Sequence, residues 1–222
     1  VAEVFGRYDI DTVYHLAAET HVDRSIKSAD RFVHSNIKGT QNLLEASVTN
    51  NVKKFIHIST DEVYGHVETG STNEQCRYHP RNPYSATKAA SDHLVTAWHH
   101  TYGLNTTITH CSNNYGPRQH TEKMIPTIIR SIQNQQPIPI YGDGLQIRDW
   151  LYVGDHVQAL YMMQDAAAGT IYNIGASHEE EITNLDLVHL IGDVMSVDVK
   201  PLITHVKDRP GHDRRYSIDS SL

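Results

Sequence analysis

The 222-residue sequence has little cysteine, no long apolar run and no excess of positive charge. Cys76 and Cys111 are the only cysteines, so there is no disulfide framework, and a reducing cytoplasm fits. No stretch approaches the roughly 18–20 apolar residues of a membrane-spanning helix, and no signal peptide is visible. Nineteen Lys and Arg against 26 Asp and Glu give a formal charge of −7, which argues against nucleic acid or an anionic membrane as partner. The 16 histidines are scattered, and neither a His-Glu-x-x-His nor a paired-cysteine spacing occurs, so no metal site is expected. A glycine-rich G-x-G-x-x-G phosphate loop is also missing. If the protein binds a dinucleotide, the first strand, that loop and the acidic ribose ligand lie outside this sequence. It opens within an apparent helix ("VAEVFGRYD") and stops at "SIDSSL", as expected of an internal piece of a longer protein.

What is present alternates in a regular way. Hydrophobic residues make up 39%, enough for one sizeable core. Strand-like runs at 11–18, 53–59 and 105–112 alternate with helical periods at 36–50 and 83–103. This order predicts an α/β fold with a mostly parallel sheet covered on both faces, and ligands beyond the carboxyl ends of the strands. "HLAAETH", "STDEVYG" and "CSNNYGP" all fall at that edge. After residue 120 the rhythm changes. A helix at 124–136, two short strands around the Gly-Asp-Gly turn in "PIPIYGDGLQIRDWLYV", a helix at 154–169, a strand at 170–175 and a helix at 184–195 suggest a smaller lobe. The expected division is therefore 1–120 and 121–222, with some later segments returning to the first sheet.

The chemistry concentrates in "HISTDEVYG" (57–65), where Thr60, Asp61 and Glu62 directly follow a buried-looking strand. Neighbouring residues on a regular strand point to opposite faces, so both acids can face one ligand only if the backbone turns there. Tyr84 and Lys88 in "YSATK" stand four apart on one face of the following helix. A nearby ammonium lowers a phenol's pKa and would suit it to removing a proton from a sugar hydroxyl. Arg148 places a charge inside an apolar strand, and a guanidinium fork matches phosphate oxygens. Trp98 and Trp150 read as core residues.

Taken with "HLAAETHVDRS", "SNIKGT", "IRDWLYVGDH" and "DRPGHDRRY", these motifs resemble the extended short-chain dehydrogenase/reductases, nearest the nucleotide-sugar 4,6-dehydratases that act on dTDP-glucose. The resemblance implies a Rossmann-like doubly wound sheet, bound NAD, a smaller carboxy-terminal substrate lobe and a homodimer formed through paired long helices. The helices at 36–50 and 83–102 could serve, or could instead be buried within the chain. It implies Thr60, Asp61, Glu62, Tyr84 and Lys88 as catalytic residues, with Glu62 the base at C5 and a protonated Asp61 the acid at C6. Leu16, Ala17, Ala18, Glu19, Ser35, Ser59 and Asn114, with Tyr84 and Lys88, would contact NAD. Thr20, Asn113, Lys123, Arg148, Asn184, Asp208, His212 and Arg215 would contact the sugar nucleotide, with Arg148 and Arg215 on the diphosphate. A UDP-sugar 4-epimerase would share Tyr84 and Lys88 but has no use for the acid pair. UDP-sugar and GDP-mannose 4,6-dehydratases, and an inactive binding lobe, are the other readings.

Overall fold

The computed structural model describes residues 1–176 and 181–222. The first half of the chain runs α1 (Ala2–Arg7), β1 (Thr12–His15), α2 (Val22–Lys27), α3 (Asp30–Phe32), a π-helical stretch (Val33–Lys38) and α4 (Gly39–Thr49). It continues through β2 (Lys54–Thr60), a 3-10 turn (Asp61–Tyr64), α5 (Pro83–Tyr102), β3 (Thr106–Cys111) and β4 (Asn113–Tyr115). The second half runs α6 (Met124–Gln133), β5 (Ile138–Tyr141), β6 (Ile147–Arg148), β7 (Trp150–Tyr152), α7 (Val153–Met162), β8 (Thr170–Ile174), β9 (Ile182–Thr183), α8 (Asn184–Val194) and β10 (Ile203–Val206).

Strands β1, β2, β3 and β8 form a parallel sheet in that order, the arrangement expected of strands separated by helical crossovers. Strand β2 is buried almost throughout, on both faces, carrying Lys54, His57, Ser59 and Thr60 inside with Phe55 and Ile56. Leu44 from α4 and Val95 from α5 pack with Phe55 and Ile108 against one face, and Trp98 joins them as a core residue. A second core lies in the later part of the chain, where Ile128, Ile132, Ile138, Ile140 and Val188 bring α6, β5 and α8 together. Among the described residues no helix is long and apolar enough to cross a membrane.

Two expectations change. The helix read over 36–50 begins at Asp30 and passes through the π-helical stretch, whose wider turn carries Asn36 into the interior at 1% exposure. The strands on either side of the Gly-Asp-Gly turn exist, but they do not pair with each other. β5 pairs in parallel with β10, β6 antiparallel with β9, and β7 in parallel with β4. Gly142 and Gly144 do turn the chain at positive φ, but backbone N–H groups from Asn184 and Leu185 then occupy the Gln146 and Gly144 carbonyls. A hairpin ladder has nowhere to form.

Candidate active site

Strand β2 ends at Thr60, and the next residues form the 3-10 turn that carries both acids. Thr60 caps that turn: its hydroxyl accepts from the Glu62 N–H at 3.3 Å and donates to Asp61 Oδ1 at 3.1 Å. Gly65 closes the turn at φ 74°, where a Cβ would overlap the His79 carbonyl oxygen. The strand alternation is thereby broken at the two neighbouring carboxyls, of which Glu62 lines the cavity described below and Asp61 does not. Asp61 is 3% exposed, and its Oδ2 has no hydrogen-bond partner among the described residues. Burial first, and then the adjacent Glu62, push the Asp61 carboxyl up to about 8. Glu62 is half-buried, and its Oε2 accepts from Asn82 Nδ2 at 3.2 Å and from the Tyr216 hydroxyl at 3.3 Å.

Tyr84 and Lys88 lie in the first two turns of α5, which Asn82 and Ser85 cap reciprocally and Pro83 starts. Both are buried. The expected downward pull of the ammonium on the phenol is not what this site shows. Burial, followed by the Glu62 charge, pushes Tyr84 well above its ordinary value, with Thr60 pulling weakly the other way. Lys88 turns instead to the sheet and donates to the Ile58 carbonyl at 2.8 Å. The same influences show that Tyr84, Thr60, Asp61 and Glu62 are close electrostatic neighbours.

A cavity of about 300 Å³ opens beside Glu62. Of the residues expected to contact a sugar nucleotide, Thr20, Asn113, Lys123, Arg148, Asn184 and His212 line it. Lys123 bridges to Thr20, donating to its hydroxyl at 3.0 Å and its carbonyl at 3.2 Å. Arg148 is 6% exposed, stacks 4.2 Å over the Tyr216 ring, and donates to the Ile147 and Asp213 carbonyls. The Asn184 Oδ1 is buried without a hydrogen-bond partner among the described residues. Burial, then Arg209, lowers His212 to about 4, although its Nδ1 meets Asp208 Oδ1 at 2.7 Å. Asp208 therefore braces His212 from behind the wall.

Arg215 lies elsewhere. Its Nε is bonded to Glu181 and its Nη1 to the Gly70 carbonyl, on a separate surface pocket with His66 and Arg214. Arg209 is the arginine that joins Arg148 on the cavity wall, and its Nε is buried without a hydrogen-bond partner among the described residues. The only sequence signal for it was its place in "DRPGHDRRY", where three arginines compete. Tyr141 and Trp150 also line the cavity, and the Tyr141 hydroxyl donates to Asp23 Oδ2 at 2.7 Å. Trp150 is 7% exposed, a core residue with one side on the cavity.

At the end of β1, Leu16 and Ala17 are exposed while Ala18 and Glu19 are half-buried. Asn36 fixes this loop: Oδ1 accepts from the Glu19 N–H at 2.8 Å, and Nδ2 donates to the Glu19 carbonyl and to Thr87 Oγ1, each at 3.0 Å. Sequence reasoning missed Asn36, although it sits in the "SNIKGT" motif beside the half-buried Ser35. Ser59 donates to Asp92 at 2.9 Å, and the Asn114 amide is taken by His156 and the Ser112 carbonyl. The cradle suits one end of a nicotinamide dinucleotide. Small residues at the strand end let a flat ring approach, and Lys88 has a single hydrogen bond among the described residues for its three donors. No glycine-rich loop for the pyrophosphate is among these residues.

A parallel sheet with a Tyr-x-x-x-Lys helix and an acid pair at a strand end is the apparatus of a Rossmann-type dehydrogenase acting on an alcohol. The sequence profile described as GDP-mannose 4,6 dehydratase matches residues 1–222, and the chain belongs to that family. It is 50% identical to a dTDP-glucose 4,6-dehydratase of Haemophilus influenzae, over all of this chain and 71% of the relative. A dTDP-glucose 4,6-dehydratase of Salmonella typhimurium is 48% identical, over 99% of this chain and 68% of the relative. Among solved structures, DesIV, a dTDP-glucose 4,6-dehydratase from Streptomyces venezuelae with NAD bound, superposes with a TM-score of 0.94 at 42% identity, covering 99% of this chain and 68% of that one. A UDP-glucuronic acid 4-epimerase from Bacillus cereus, also with NAD, gives 0.92 at 31% identity, covering 99% and 69%.

Proposed function

We propose that the protein dehydrates dTDP-glucose to the 4-keto-6-deoxy sugar nucleotide with NAD as bound cofactor. The observation that carries this reading is the acid pair: two adjacent carboxyls on one turn, Asp61 pushed up to about 8 by burial and by Glu62, beside the Tyr84 phenol. Bound NAD supplies the hydride chemistry, taking a hydride from C4 and returning it to C6. Tyr84, once the Lys88 ammonium and the positive charge of the bound cofactor have drawn off its own proton, receives the C4 hydroxyl proton, and Thr60 hydrogen-bonds the resulting C4 oxygen. The ketone acidifies C5, whose proton goes to the Glu62 carboxylate. Asp61 gives its proton to the C6 hydroxyl, which leaves as water. Lys123, Arg148 and Arg209 supply cations for the diphosphate.

The fold alone does not choose between dehydratase and epimerase, since the Bacillus cereus epimerase shares it. The acid pair favours the dehydratase, because an epimerase performs no elimination. In this reading residues 1–120 hold the cofactor and 121–222 mainly the substrate. The protein works in the cytoplasm as a homodimer joined through the outer faces of α4 and α5, whose inner faces pack on the sheet.

The test uses dTDP-glucose, UDP-glucose and GDP-mannose, each deuterated at C4, with products followed by mass spectrometry. The expected outcome is loss of one water from dTDP-glucose with the label at C6. Label retained at C4 with inverted configuration indicates an epimerase, and turnover of UDP-glucose or GDP-mannose alone reassigns the nucleotide.

A further inference from the structure

Helix α5 presents Tyr84, Lys88 and Asp92 at successive four-residue steps, so the three side chains share its sheet-facing side. The first two have roles in the proposed reaction, whereas Asp92 has none. Yet Asp92 is 1% exposed, with Oδ2 hydrogen-bonded and Oδ1, among the described residues, met only by His57 at ion-pair distance. Ser59 donates to its Oδ2 at 2.9 Å, His110 Nε2 stands 3.2 Å from the same oxygen, and His57 Nε2 stands 3.2 Å from Oδ1. Strands β2 and β3 thus converge on one carboxylate of α5. The Tyr64 hydroxyl meets the other ring nitrogen of His110, Nδ1, at 2.8 Å, and the Tyr78 hydroxyl lies 2.9 Å from the same Nε2 that faces Asp92.

An ionised carboxyl at this depth needs compensation. Burial alone would raise it, but the bonds from His110 and His57 outweigh burial and hold it well below the ordinary range. One turn back, Lys88 is 4% exposed, and its hydrogen bond goes to a neutral carbonyl. Burial pulls the Lys88 ammonium down, and Asp92 is the foremost influence opposing it, ahead of Cys111.

The other groups around Lys88 do not supply an anion. Burial above all keeps His15 at about 3 and His57 at about 4, both neutral in the physiological range. It pushes the Cys111 thiol up to about 12 and the phenols of Tyr64 and Tyr78 above their ordinary value. Asp61, raised to about 8, and Glu62 act on Tyr84 at the other end of the helix face.

We propose that Asp92 is a positioning residue for the C4 oxidation: its buried carboxylate is the counter-charge that keeps Lys88 an ammonium behind Tyr84. The inference rests on the dehydratase reading for its catalytic consequence, but the Lys88 titration itself does not.

The test compares Asp92→Asn and Asp92→Glu with the parent enzyme, loaded with NAD. In Asp92→Asn, the Lys88 titration midpoint, followed by NMR of isotope-labelled lysine, falls by about one pH unit or more. The alkaline limb of C4 oxidation moves down with it, while KM for dTDP-glucose changes little. Asp92→Glu, which keeps the charge, restores the midpoint. If Asp92→Asn does not fold, the Lys88→Met, Asp92→Asn double variant should, because no uncompensated buried charge remains. A Lys88 midpoint that stays put in Asp92→Asn, with the rate reduced equally at every pH, overturns the proposal. So does a double variant no more stable than Asp92→Asn. A parent enzyme that removes no water from dTDP-glucose overturns the functional reading instead, and leaves the Lys88 titration to decide this one.

Discussion

At the scale of single residues, the two acids differ in what surrounds them, and the proposed division of work between them rests on that difference. Asp61 is enclosed and has an oxygen with no partner, whereas Glu62 reaches the cavity and is held by two neutral donors. Glu62→Gln should therefore still reduce NAD in a single turnover but release no 4-keto-6-deoxy product. The check is the absorbance of reduced cofactor against product by mass spectrometry, and unchanged turnover would remove Glu62 as the C5 base. For Asp61, the folded carboxyl holds its proton up to about 8, against 3.8 when free. The elimination rate should thus fall as pH rises through about 8, because the acid then lacks its proton. The linked stability has the same sign. The folded chain keeps a proton that the unfolded chain releases, so this contribution is fully present below about 3.8 and is lost as pH rises through about 8. Asp61→Asn should abolish that alkaline loss of stability in denaturant titrations, while slowing elimination by about 10²–10⁴-fold.

At the scale of elements, the site depends on a cap and a turn. Asn82 both caps α5 and donates to Glu62, so it ties the helix that carries Tyr84 to the turn that carries the acids. Asn82→Ala should cost about 1 kcal/mol in unfolding free energy, the usual loss for a capping side chain, and should lower kcat more than that loss alone explains. Elements built from local signals were legible in the sequence. Pro83 and Gly103 bracket α5, and Phe55, Ile56 and Ile58 mark β2. The break after Thr60 could be inferred because a strand could not otherwise aim Asp61 and Glu62 together. Non-local pairings were not legible. No local pattern shows that β5 meets β10 some 60 residues later, because both are short and their partner edges are set by the second core. Arg209 and Arg215 carry the same charge in the same loop, and only the folded backbone places one on the cavity and the other against Glu181. The phenol of Tyr84 was misread for a related reason: spacing reports neighbours along a helix, but not burial.

At the scale of the whole molecule, the cavity is a joint between two cores. One wall comes from the segments after β1 and β2, carrying Thr20 and Glu62, and the other from α6, β5 and the loop after β10, carrying Lys123, Tyr141 and Arg209. A nucleotide that spans the joint binds only the folded arrangement of both, so it should stabilise the whole chain by mass action, by about 2.7 kcal/mol at a hundredfold excess over Kd. Arg209 is the informative position, because its Nε is buried and unpaired while its Nη1 reaches Asp23 across the joint at 3.5 Å. A charged hydrogen bond to phosphate contributes about 1.5–3 kcal/mol, which corresponds to roughly 10- to 100-fold in affinity. Arg209→Ala should therefore raise KM for dTDP-glucose by that factor with kcat little changed, and should shrink the rise in Tm that dTDP produces. Arg215→Ala should leave both unchanged, since that side chain is already bonded outside the cavity. If Arg215→Ala raises KM and Arg209→Ala does not, the diphosphate lies on the other surface, and the joint is not where the sugar nucleotide binds.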